Sequence, residues 1–141
     1  MACLTPKLQN AAGKIAKGYG LEFIRVFGSS LLDFEKARDV DLAVPPVSGG
    51  FRRYSALVGE FERAFGKPVD LVMLNRDLSP TLVLEIAGNS KALWEAPKKG
   101  RERYADIMDP LCAVAQDEVL AMPEVLKRAW IKKRLRKSDV A

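Results

Sequence analysis

The chain contains no histidine. A Ser-His-Asp triad is therefore excluded, as is a zinc site of the ordinary Cys/His type. A ribonuclease that takes its proton with an imidazole is excluded with them. Acid–base chemistry is left to Asp, Glu, Lys, Tyr and metal-bound water. Cysteine is nearly missing as well. Cys3 and Cys112 are too few for a disulfide framework and read as free thiols. No apolar run approaches the ~20 residues that a membrane-spanning helix needs. The opening MACLTPKLQN is too polar for a secretory signal. These absences predict a cytoplasmic protein with no membrane partner.

What is present suits one domain. With 141 residues, 48% of them hydrophobic and 29% charged, the chain can bury a real core. The net charge of +5 is unevenly spread. Lys127–Lys137, KRAWIKKRLRK, carries seven positive charges and no acid, whereas residues 1–126 hold sixteen basic residues against seventeen acidic ones. The body is near neutral and the end is a basic tail. That tail reads either as a solvated amphipathic helix end or as a surface for RNA or an acidic protein. Trp130 within it suits packing or base stacking.

The pattern along the chain alternates helices and strands. Thr5-Pro6 is a cap and first-turn pair, followed by Leu8, Ala12 and Ile15 at helical spacing up to Gly18 and Gly20. Leu21–Phe27 reads as a strand, Ser29–Asp33 as the start of a short helix, and Val40–Val44 as a strand stopped by Pro45-Pro46. Phe51, Tyr54, Leu57, Val58, Phe61 and Phe65 make one apolar stripe, predicting an amphipathic helix with its aromatics in the core and Gly66 at its end. Pro68–Leu74 reads as a third strand, Ser79-Pro80 as the start of a helix to Ala87, and Ala92–Trp94 as a short edge strand. Beyond Lys98 the pattern is helical, with Pro110 and Pro123 each expected to open a new segment. The fold class is α/β, or α+β, with a small sheet covered by helices.

The stretch that carries chemistry is Phe23–Val44, FIRVFGSSLLDFEKARDVDLAV, together with Val69-Asp70-Leu71-Val72. An apolar run ends in Gly28-Ser29. After a spacer of nine residues, Asp39 and Asp41 head a second apolar run, and Asp70 stands inside a third. A buried strand has little use for an unpaired carboxylate. Residues i and i+2 of a strand share a face, so Asp39 and Asp41 project together. If the Asp70 strand lies beside theirs, three carboxylates gather. Such a cluster is tolerable when divalent cations neutralise it, and hard oxygen donors select Mg²⁺ or Mn²⁺. Gly28 permits close approach of backbone to a ligand, and the amides of the following turn suit phosphate. Taken singly, each feature has a plainer reading: an Asp-x-Asp can cap a helix, Gly-Ser can be an ordinary turn, and Asp70 can be a solvated edge acid. Their order is what restricts the choice.

In that order the chain resembles the DNA polymerase β-type nucleotidyltransferase superfamily in its minimal form, the MNT proteins. The resemblance rests on Gly28, Ser29, Asp39, Asp41 and Asp70, on the wording Asp-Val-Asp-Leu-Ala-Val and Pro-Val-Asp-Leu-Val, and on Glu85–Glu95, EIAGNSKALWE. It covers roughly residues 4–108. The chain departs from it in carrying Ser30-Leu31-Leu32 where many members have a basic residue. The resemblance implies a polymerase β-like domain over 1–108 with a small mixed sheet, continued by a helical extension over 109–141 in the same globular unit. It implies that Asp39, Asp41 and Asp70 hold two Mg²⁺ ions, with Mn²⁺ as a substitute and with Asp70 helping to activate a hydroxyl. It places the ATP phosphates on Gly28, Ser29 and Ser30. It further implies an antitoxin that transfers AMP to a tyrosine of a HEPN-domain toxin. Transfer of nucleotides to RNA such as tRNA, with the basic tail as grip, is the second reading. A catalytically silent antitoxin acting by contact alone is the third.

Overall fold

The computed structural model describes residues 5–129 and 131–132. Cys3, Leu4, Trp130 and residues 133–137 of the basic tail lie outside the described residues.

The first helix, α1 (Pro6–Tyr19), begins where the sequence predicts. Thr5 Oγ1 accepts the Leu8 N–H at 3.2 Å, and Gly20 closes the other end in a left-handed conformation. Strand β1 (Phe23–Phe27) leads into the single turn α2 (Ser29–Leu32), then β2 (Val40–Val44), the long helix α3 (Gly50–Phe65) and β3 (Val69–Met73). Helix α4 (Pro80–Gly88) is capped by Ser79, whose Oγ accepts the Leu82 N–H at 3.3 Å. Strand β4 (Ser90–Glu95) and the long helix α5 (Lys99–Leu120) follow, with a last helical segment from residue 124.

The four strands form one mixed sheet in the order β3-β2-β1-β4. β1 is antiparallel to both neighbours, and β2 is parallel to β3, joined to it through α3. Strand alternation splits the core in two. Ile24, Val26, Val40, Leu42, Val44 and Leu71 meet α1 and α3 on one face. Phe23, Phe27, Ala43 and Leu74 meet Val83 and Ile86 of α4 and Met108 and Ala115 of α5 on the other. Among the described residues no helix is long and apolar enough to cross a membrane.

Two expectations are corrected. Phe51 is 81% exposed and does not belong to the core. It sits in the first turn of α3, before the helix comes over the sheet, and stacks on Tyr54 with ring centroids 6.4 Å apart. The buried part of the stripe is Leu57, Phe61 and Phe65. Pro110 does not open a new helix; α5 runs straight through it. A proline costs a helix one backbone hydrogen bond and crowds the preceding turn. Here Met108, Leu111, Cys112 and Ala115 pack beside α4 on both sides of the proline, and that burial holds the helix together. Pro123 behaves as expected and precedes the last helical segment.

Candidate active site

The three acids arrive from two neighbouring strands. Asp39 is exposed in the bend just before β2, Asp41 is the second residue of β2, and Asp70 is the exposed second residue of β3. The parallel register pairs Asp41 with Asp70, and the antiparallel register pairs Asp41 with Phe27, the last residue of β1. Val40, Leu42, Val69 and Leu71 are buried against α1 and α3, so alternation turns Asp41 and Asp70 to the opposite face. Helices α4 and α5 cover that face over Ala43 and Leu74, towards the other end of the strands.

Gly28 is fitted to this arrangement in two ways. Its backbone, at φ 73° and ψ −157°, is in a region that only glycine adopts readily. It also leaves space: a Cβ at Gly28 would stand 2.1 Å from Asp41 Oδ2. The carboxylate of Asp41 thus occupies the room that the missing side chain vacates.

Ser29, exposed, opens α2 beside it. Ser30 is fully buried, and its hydroxyl is used within the chain. Its Oγ donates to the Phe27 carbonyl at 3.1 Å and accepts the Asp41 N–H at 3.4 Å. Ser30 therefore ties the end of β1 to the backbone of Asp41, and what it offers outward is main chain.

Two further groups were not legible locally. Tyr54 of α3 donates its hydroxyl to the Leu71 carbonyl at 2.7 Å, next to Asp70. Burial raises its pKa above the usual tyrosine value, and the Asp70 charge raises it further. Arg25, two residues before Phe27, is held by Ser90. Its Nε donates to Ser90 Oγ at 3.1 Å and its Nη2 to the Ser90 carbonyl at 3.0 Å. Its guanidinium lies 4.3 Å from the centre of the Tyr104 ring, which in turn meets Phe23 edge-on at 5.3 Å. Tyr104 is thus a packed residue that joins α5 to β1. Neither Tyr54 nor Arg25 carries a local signal, because their partners lie 17 and 65 residues away.

Among the described residues no three acidic side chains are gathered into a cluster that could hold a metal ion. What the fold supplies is adjacency: Asp41 and Asp70 in register on neighbouring strands, with Asp39 in the bend two residues before Asp41. As donors they are hard oxygens, the type that Mg²⁺ or Mn²⁺ takes, and repulsion between carboxylates favours spreading until a counter-charge draws them in. The residues fit a divalent cation in the chemistry of their donors.

Comparison with known proteins agrees with this geometry. The family model described as Polymerase beta, Nucleotidyltransferase matches residues 10–99, more than half of the chain. A solved complex of a tri-AMPylated Shewanella oneidensis HEPN toxin with an MNT antitoxin matches with TM-score 0.59 and 21% identity, over 91% of this chain and 96% of that one. A toxin–antitoxin structure with AMP-PNP matches with TM-score 0.54 and 20% identity, over 94% and 97%. Another Shewanella oneidensis structure matches with TM-score 0.58 and 23% identity, over 83% and 93%. Among curated proteins nothing matches. At such identities the structural matches speak for the fold. With the family model spanning most of the sheet, and Gly28, Asp41 and Asp70 meeting at one end of it, the chain belongs to the polymerase β-type nucleotidyltransferase family.

Proposed function

We propose that this nucleotidyltransferase uses Mg²⁺ to move AMP from ATP to a tyrosine hydroxyl of a partner HEPN toxin, and so serves as that toxin's antitoxin. The observation that carries the reading is the register of Asp41 with Asp70 beside a glycine whose absent side chain leaves room for the Asp41 carboxylate. The choice of acceptor is supported by a fold relative in complex with a tri-AMPylated HEPN toxin, and the choice of nucleotide by a second relative with AMP-PNP.

Asp39, Asp41 and Asp70 would hold two Mg²⁺ ions. When bound, Mg²⁺ supplies positive charge against the triphosphate and makes the attacking hydroxyl more acidic. The main chain of Gly28, Ser29 and Ser30 receives the terminal phosphates, with the Ser29 hydroxyl beside it. Asp70, at the outer strand, takes the proton of the acceptor hydroxyl. The tyrosine oxygen bonds to the α-phosphorus, the bond from that phosphorus to the bridging oxygen breaks, and pyrophosphate leaves. Asp41 is kept on line by Ser30, which fixes its backbone.

The test uses labelled ATP, Mg²⁺ and either a purified HEPN toxin or bulk tRNA. Label is expected on toxin tyrosine. It should vanish with a chelator and in Asp39→Asn and Asp41→Asn, which should also fail to neutralise the toxin. Label on tRNA and none on protein would replace this reading with RNA transfer. Neutralisation that survives Asp39→Asn would replace it with inhibition by contact.

A further inference from the structure

Lys67 lies between α3 and β3, in the segment that leads to Asp70. Its Nζ donates to three main-chain carbonyls, those of Phe34, Glu35 at 2.9 Å and Ala37 at 2.9 Å. It also sits 5.0 Å from the centre of the Phe34 ring. An ammonium has three donors and no acceptor, so Lys67 spends its whole capacity on one loop. Bonds from a charged donor are shorter and stronger than neutral ones.

That loop is the chain that delivers Asp39. Residues 33–39 are neither helix nor strand. The loop closes locally on Asp33, whose Oδ1 accepts the Lys36 N–H at 3.3 Å and whose carbonyl accepts the Ala37 N–H at 3.1 Å. Immediately after Lys67, the Pro68 carbonyl accepts the Val40 N–H at 2.9 Å. The segment that leads into β3 therefore grips the loop twice. Lys67 holds it before Asp39, and Pro68 holds it after.

We propose that Lys67 is a positioning residue of the acid site: by holding the carbonyls of Phe34, Glu35 and Ala37 it keeps Asp39 in place relative to Asp41 and Asp70, and so sets the affinity for the divalent cation. This rests on the metal-dependent reading above. Lys67 acts through main chain alone, which separates its role from that of the three acids.

The test titrates the full-length chain with Mn²⁺, reading free Mn²⁺ by electron paramagnetic resonance, with AMP transfer followed in parallel. Groups that orient metal ligands from outside typically govern ten- to a hundredfold in affinity. Lys67→Met is accordingly expected to raise the Mn²⁺ dissociation constant by about tenfold or more, and transfer should recover at high Mn²⁺. A lysine with a merely structural role would lower the melting temperature and leave that constant unchanged, and this result overturns the inference. Should Lys67→Met not fold, Lys67→Arg is titrated instead. It keeps the charge but cannot converge three donors on the same carbonyls, so weakened binding supports the inference and unaltered binding overturns it. A wild-type chain that binds no Mn²⁺ overturns the functional reading and this inference together. Wild-type binding with an indifferent lysine variant overturns the inference alone.

Discussion

Gly28 concentrates more consequence than any other single residue. Gly28→Ala would strain the backbone by about 1–3 kcal/mol and push a methyl group into Asp41 Oδ2. A displacement of about 1 Å at reacting groups costs roughly a hundredfold in rate. We expect Gly28→Ala to lose about that much nucleotidyl transfer while its urea midpoint falls modestly; unchanged transfer would mean that the Asp41 carboxylate is not where the reaction needs it. Ser30→Ala is a different case, because it removes the donor to the Phe27 carbonyl and the acceptor of the Asp41 N–H at a fully buried position. Leaving such groups unpaired costs about 1–3 kcal/mol, which a denaturant titration would read.

At the scale of the element, α3 carries two jobs. It fills the core through Leu57, Phe61 and Phe65, and it holds β3 through Tyr54. Phe61→Ala should cost about 3–5 kcal/mol, whereas Phe51→Ala, at an exposed site, should stay within about 0.5 kcal/mol. Comparable losses from both would return Phe51 to the core. Tyr54 also gives the fold a pH dependence. Its pKa is raised in the folded state, by burial and then by Asp70, so the folded chain holds that proton more tightly than the unfolded chain. The resulting stability is present below the ordinary tyrosine value of 10.0 and fades as pH rises through the raised one. Tyr54→Phe should flatten that alkaline fall in a series of melting curves. A fall of the same steepness in Tyr54→Phe would assign it to another group, such as Tyr19, which is also raised, first through its hydrogen bond to Glu60.

For the molecule as a whole, the sequence was legible where physics is local. The caps Thr5 and Ser79 and the limits of β2 follow from side chains within a few residues of each boundary. The acids stood out because a carboxylate in an apolar run is costly wherever it lies. Legibility stopped at tertiary choices. Nothing local sets Asp41 opposite Asp70; the length and docking of α3 do. Pro110 reads as a break until the contacts of α5 with α4 are weighed against it, and Phe51 continues in sequence a stripe that is buried only from Leu57 onward.

The place of β1 in the sheet bears on how the chain is made. β1 pairs first with β2, a near neighbour in sequence, yet its other side is filled only by β4, with Phe23 opposite Glu95. A chain emerging from the ribosome would thus own Gly28 and all three acids by residue 70 while the far edge of β1 still stood bare. Such an edge is a template for pairing with other chains, and vectorial synthesis exposes it for as long as translation takes to reach Glu95. Slow codons between β3 and β4 should therefore lower soluble yield more than the same codons placed after Glu95.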